Sequence, residues 1–209
     1  MNWIQMPLGP LQTNAYILSN DQKECIIFDP GSEGEKLVSY IKQQQLKPLA
    51  ILLTHAHFDH IGAVDEVRTA FQIPVYVHQE EADWLGDATV NGSQIFMMNR
   101  SITAKPADHI IEGEGTLTIG SFTFDMFETP GHSPGSVSYY CKQANVVISG
   151  DVLFQMSIGR TDLPGGSFQE LIMSIEEKLF ELPDDTTVLC GHGPDTTIGF
   201  EKENNPFLQ

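Results

Sequence analysis

Basic residues are scarce in this chain: Lys and Arg number 11 against 28 Asp and Glu, a formal net charge of -17 over 209 residues. A field of that sign repels phosphate backbones and anionic lipid, so no nucleic acid and no membrane is expected among its partners. Cysteine is sparse too. Cys25, Cys141 and Cys190 are odd in number and far apart, with no C-x-x-C pair, which excludes a zinc ribbon or a dithiol centre and leaves buried free thiols. No run approaches the roughly 20 apolar residues that span a bilayer. The opening MNWIQMPLGPLQTNAYILSN has neither a basic stretch before an apolar core nor a cleavage site, so a soluble, cytoplasmic location is expected. Repeats, low-complexity tracts and linkers are missing as well, and a single domain over 1–209 is expected. With 41% hydrophobic residues the chain has enough apolar material for a core.

What is present alternates strands with helices. Ala15–Leu18 and Cys25–Phe28 have the composition of strands, and Gly34 to Leu46 places Leu37, Val38, Ile41 and Leu46 at helical spacing. Leu49 to Leu53 is a fully apolar strand ending at Thr54. A helix is predicted over Ile61 to Phe71 and a strand over Ile73 to Val77, followed by short antiparallel strands between Asp108 and Glu128. Val137–Cys141 and Asn145–Ser149 form a predicted hairpin. Ser167-Phe168-Gln169-Glu170 has the spacing of a capping box and opens a helix bearing Phe168, Leu171, Ile172, Ile175 and Leu179. A last strand, Thr187 to Leu189, precedes Cys190-Gly191-His192-Gly193. Four polar clusters thus follow apolar strands, at the strand ends where sheet-based folds place their chemistry.

Thr54-His55-Ala56-His57-Phe58-Asp59-His60 packs three imidazoles and a carboxylate into one short stretch. These are the donors that borderline divalent ions accept, at about 2.0 to 2.2 Å. His55 and His57, two apart in extended backbone, project to one side and suit one ion. Asp59 and His60, where the turn enters a helix, suit a second. Two ions need more donors, and later strand ends offer them: His132 in Pro130-Gly131-His132-Ser133-Pro134-Gly135-Ser136, Asp151 in Ser149-Gly150-Asp151, and His192 between glycines that permit close backbone approach. Taken singly, His132, Asp151 and His192 are ordinary turn residues; their joint occurrence favours metal. The expected partition gives His55, His57 and His132 to one ion, Asp59, His60 and His192 to the other, and Asp151 as the bridge. One ion held by three or four of these residues is the competing arrangement. His78 and His109 lack such company and are expected to be surface or capping residues.

In T-H-x-H-x-D-H at 54–60, G-H-S-P-G-S at 131–136, G-D at 150–151 and G-H-G at 191–193, the chain resembles the metallo-β-lactamase superfamily, with the motifs in family order over nearly its whole length. The resemblance implies an α/β fold, an αββα sandwich of two mixed β-sheets flanked by helices. Zinc-type lactamases of the family usually carry another residue after the motif's Asp and often Cys near the bridging position. His60 and Asp151 stand there instead, which is similar to the glyoxalase II branch, whose members hydrolyse S-2-hydroxyacyl thioesters. Gly159-Arg160-Thr161-Asp162 and Glu203-Asn204-Asn205-Pro206-Phe207 extend that resemblance. It makes Arg160 the position that contacts the thiol carrier, with Asp162 where the family has a Tyr. It also implies a short form lacking the C-terminal helical glutathione-binding extension.

The expected function is therefore a binuclear metal-dependent hydrolase acting on a small-molecule thioester. Its cofactors would be two divalent transition metals, zinc first, with iron or manganese as alternatives. A bridging water acidified from 15.7 towards about 7 would attack the carbonyl, with Asp59 orienting it. A persulfide dioxygenase with a single iron is the first alternative, a phosphodiesterase or nuclease the second, and a non-enzymatic metal-binding module the third.

Overall fold

Val, Ile and Leu runs bounded by Gly, Pro and Asx turns become strands, and in the computed structural model, which describes residues 1–97 and 101–209, they build two compact units, 1–112 and 113–209. In the first, β1 (Asn2–Leu8), β2 (Thr13–Ser19), β3 (Glu24–Phe28), β4 (Lys47–Leu52), β5 (Val75–His78) and β6 (His109–Ile111) lie in that order in one sheet. The strands β1, β2 and β3 pair antiparallel, whereas β3, β4, β5 and β6 pair parallel. Parallel neighbours need crossovers. Helix α1 (Gly34–Gln43) joins β3 to β4, and α2 (Phe58–Ile61) and α3 (Val64–Phe71) join β4 to β5. A 3-10 stretch, Gln79–Gly86, and α4 (Ser93–Phe96) precede β6. Leu37 and Ile41 of α1 and Val64 and Val67 of α3 pack with Ile27, Ile51 and Val75 of the sheet, the unit's core.

Three expectations change here. The first helix ends at Gln43, short of Leu46, because Gln45 turns left-handed (φ 58) and the Leu46 N–H bonds back to the Ile41 carbonyl at 3.0 Å. The second helix begins early, at Phe58, and breaks at Gly62–Ala63, where the Asp29–Gly31 turn packs close and the Ala63 N–H donates to the Pro30 carbonyl at 2.9 Å. His109–Ile111 is a parallel edge strand on β5, pinned by the Asp108 carboxylate, which accepts from the Val75 N–H at 2.9 Å and from Arg68 at 2.5 Å.

The second unit holds β7 (Gly115–Ile119), β8 (Phe122–Glu128), β9 (Val137–Cys141), β10 (Val146–Gly150), a small ribbon of β11 (Leu153–Phe154) and β12 (Ser157–Ile158), then α5 (Phe168–Glu177), β13 (Thr187–Cys190), β14 (Thr196–Thr197) and α6 (Ile198–Asn204). Its six-stranded sheet runs β14-β13-β10-β9-β8-β7, with β10 and β13 parallel and the other pairs antiparallel. That order makes β8, β10 and β13 point the same way, so the loops after all three leave one edge. Val147, Val188, Leu171, Ile175, Leu179 and Ile198 form the core. Ser167 caps α5 as expected, its hydroxyl accepting from the Glu170 N–H at 3.4 Å. Phe168, expected on the buried stripe, is exposed. Side chains lean towards a helix's N-terminus, so that of the first residue projects past the end into solvent. Among the described residues no helix is long and apolar enough to cross a membrane.

Candidate metal centre

In the first unit the strand β4 delivers Thr54 and His55 to the sheet edge, and His57, still extended (φ -66, ψ 147), opens α2. Asp59 and His60 then fall in the helix's first turn. The His55 and His57 rings are 4.8 Å apart between centroids, those of His55 and His60 4.0 Å, and Asp59 Oδ2 is 3.7 Å from His60 Nε2. All three imidazoles are buried. His60 Nδ1 lies 3.0 Å from Asp29 Oδ2, and the Thr54 hydroxyl donates to that same oxygen at 2.6 Å. Because the Thr54 proton is spent on Asp29, its oxygen accepts from His55 Nδ1, 3.1 Å away. Both rings are thereby held as the Nδ1–H tautomer, with the lone pair on Nε2.

In the second unit β8, β10 and β13 end at one edge and carry His132, Asp151 and His192 in the loops that follow. A backbone bond from the Gly191 N–H to the Gly150 carbonyl, 2.8 Å, ties two of those loops together. Gly131 takes φ 126, and a side chain there would meet the Leu171 nitrogen at 2.2 Å, so only glycine lets the His132 loop lie against α5. Asp151 Oδ2 stands 3.6 Å from His132 Nε2 and 3.5 Å from His192 Nε2. His132 Nδ1 is 2.9 Å from the Arg160 carbonyl, which accepts only, so this ring too presents a lone pair at Nε2. Arg160 spends its guanidinium on Asp162 in a two-pronged pair of 2.7 and 2.9 Å. That bond holds the exposed Asp162 carboxyl below the usual range.

The donor set fits a divalent metal. At 3.5 to 3.7 Å the Asp–His contacts are too long for hydrogen bonds. They lie within about 0.4 Å of the edge of a tetrahedron around an ion at about 2.0 to 2.1 Å, which is about 3.3 to 3.4 Å. Imidazoles whose second nitrogen donates to a carboxylate, hydroxyl or carbonyl are the usual form of metal-ligating histidine.

The sequence motifs did not point to three residues of the first unit. Asp29 accepts from the Thr54 N–H at 2.8 Å as well as from its hydroxyl and His60. Thr13 donates to Asp59 Oδ2 at 2.7 Å, and buried Glu81 accepts from the Ala56 N–H, between His55 and His57, at 2.5 Å. Asp29-Pro30-Gly31 is a polar turn straight after an apolar strand, the signal that marked Asp151. Thr13 and Glu81 carry no such signal. His78 is a buried capping residue, accepting from the Glu80 N–H, and His109 is exposed and stacked on Tyr76. The three cysteines are buried thiols, and that of Cys190 donates to the His192 and Pro194 carbonyls, both at 3.1 Å.

Comparison with known proteins gives a consistent result. The family model described as the Metallo-beta-lactamase superfamily matches residues 8–192. The probable metallo-hydrolase YqgX of Bacillus subtilis is 61% identical over 208 residues, covering 100% of this chain and 98% of that protein. The hydroxyacylglutathione hydrolase GloC of Haemophilus influenzae is 38% identical, covering 100% and 98%. Among solved structures, the BLEG-1 B3 metallo-beta-lactamase superposes with a TM-score of 0.98 at 60% identity, covering 100% of both chains. TTHA1623 in a di-iron-bound form superposes at 0.87 and 40% identity, covering 98% of this chain and 100% of that one.

Proposed function

This chain belongs to the metallo-beta-lactamase superfamily and is a metal-dependent hydrolase, and from that premise we propose that it cleaves a small-molecule thioester, such as an S-2-hydroxyacyl thiol. In this reading His55, His57, Asp59, His60, His132, Asp151 and His192 are the ligands of two divalent transition metals. Zinc is the first candidate; iron is the next, given the di-iron form of a 40% identical protein. The observation that carries the reading is the commitment of Nδ1 in His60 and His132 to Asp29 and to the Arg160 carbonyl, which leaves Nε2 of each as a donor beside a carboxylate oxygen.

Bound metals of this kind supply Lewis-acid polarisation of a carbonyl and an acidified water. The chain's own groups do the rest. Asp59, one oxygen of which holds the Thr13 hydroxyl, orients the attacking water by accepting its hydrogen bond. Asp29 and Thr54 keep the His55 and His60 rings from rotating. The departing sulfur needs little protonation, since thiols ionise near about 8.5. Arg160 and Asp162 are the residues assigned to the thiol carrier. A thioester is favoured by the relative named hydroxyacylglutathione hydrolase, 38% identical over its near-full length.

A second reading, hydrolysis of a β-lactam ring, is supported by the B3 metallo-beta-lactamase at 60% identity. Metal-loaded protein should be assayed against a panel of acyl thioesters, a chromogenic cephalosporin, and a thiol persulfide in an oxygen electrode. Thioester hydrolysis that disappears in His57→Ala supports the first reading. Turnover of the cephalosporin alone moves the assignment to the second, and oxygen uptake on the persulfide with one iron per chain overturns both.

A further inference from the structure

Beside Asp59 the first unit contains a cavity of about 330 Å³ whose walls include Leu8, Leu11, Phe58, Phe96 and Ile102, together with the hydrogen-bonded pair Thr13 and Asp59. We infer that this cavity receives an apolar acyl group of the substrate, a specificity that rests on the thioesterase reading and deepens it. Among the described lining residues none is basic, and Asp59 is the one charged group. Among these described residues an anionic acyl substituent finds no partner, and an uncharged hydrocarbon finds carbon on most sides.

The local structure keeps the cavity open and apolar. Gly92 opens α4 at φ 84, a conformation that side-chain-bearing residues rarely adopt, and so delivers Phe96 to the cavity wall. Phe96 in turn stacks on Phe58, with centroids 6.0 Å apart and planes 22° apart. Leu11 and Phe96 are 51% and 43% exposed, so two large apolar groups face water at the mouth. An apolar hollow with a few convergent polar atoms at one end is the usual form of a small-molecule site. The occupant follows from the shared wall: with the attacking water oriented by Asp59, the acyl carbon it attacks lies beside this cavity and its substituent runs along the apolar walls. The volume equals about ten waters at about 30 Å³ each, which accommodates an acyl chain of six carbons.

The test uses metal-loaded full chain and thioesters of one thiol with acetyl, butanoyl and hexanoyl groups. The expected result is a kcat/KM that climbs with chain length, by up to about fourfold per methylene, the equivalent of about 0.8 kcal/mol per buried CH2. In Leu11→Asp and Phe96→Gln, both at exposed positions, the hexanoyl-to-acetyl ratio should fall about tenfold. Saturation-transfer NMR with hexanamide against acetamide, on protein with and without metal, reads the pocket without turnover. Hexanamide should bind in preference, and Leu11→Asp should remove that preference. If no thioester is turned over yet hexanamide binds in this way, the pocket stands and the thioesterase reading fails. If thioesters are cleaved with no dependence on chain length, the pocket assignment is overturned and the thioesterase reading stands. A change of oligomeric state in Leu11→Asp with an unaltered ratio also overturns it, marking the mouth as a self-association face.

Discussion

Asp29 Oδ2 lies 3.0 Å from His60 Nδ1, a contact between two fully buried side chains that fixes which imidazole nitrogen carries the proton. The same carboxylate reaches His55 through the Thr54 hydroxyl, so one residue outside the histidine motif sets the tautomer of two rings within it.

Replacing Asp29 with Ala should therefore weaken metal binding by about 10- to 100-fold, the usual effect of removing a partner that orients a ligating histidine. It should also cost about 1 to 3 kcal/mol in stability, because the Thr54 N–H and His60 Nδ1–H are left without their acceptor. Asp29→Asn, which keeps one acceptor and tolerates the positive φ of 45 at this position, should lose less. Chelator competition and denaturant unfolding measure the two effects.

Glu81 performs a comparable task for the backbone between His55 and His57. Glu81→Ala should lower stability by about 1 to 3 kcal/mol through the unmet Ala56 N–H, and metal affinity should fall with it. Glu81→Gln retains a carbonyl acceptor and should recover most of both, read by denaturant midpoint and metal titration.

Gly159 tests the second unit. A methyl group there would stand 1.9 Å from the Asp151 carbonyl and 3.3 Å from the His132 Cβ. Gly159→Ala should displace the Asp151 loop, with about 1 to 3 kcal/mol of overpacking cost and a measurable loss of bound metal. A variant with unchanged metal content would show that the loop yields without moving Asp151.

The histidine motif was legible in the sequence because its donors sit within one turn of chain, where spacing alone discloses a common target. His132, Asp151 and His192 were legible as polar residues closing apolar strands, and β8, β10 and β13 do deliver them to one sheet edge. Asp29 was overlooked although its turn has the same form, since its role depends on β3 lying beside β4, a pairing that composition does not state. Glu81 and Thr13 act through contacts 25 and 46 residues away along the chain and leave no local trace. The end of α1 was misplaced for a related reason: Gln44-Gln45 stops the helix where a glycine would have announced the stop.

Burial pushes the Cys25 thiol up to about 12. An exposed thiol ionises near 9.0, and the folded chain holds the Cys25 proton more tightly, so this contribution is intact below pH 9.0 and is lost as pH rises from there towards about 12. Native protein at pH 8 should resist iodoacetamide at Cys25 and react there only after unfolding. Peptide mapping by mass spectrometry checks this, and rapid alkylation of the native chain would contradict the burial.

Metal stoichiometry tests the central claim most directly. Protein reconstituted with zinc, dialysed free of excess and analysed by inductively coupled plasma mass spectrometry should hold two ions per chain, with fewer in His57→Ala and again fewer in His192→Ala, and thioester hydrolysis should track the content. A wild-type chain that retains no more than one ion, or variants that hold as much metal as the parent, would contradict the account.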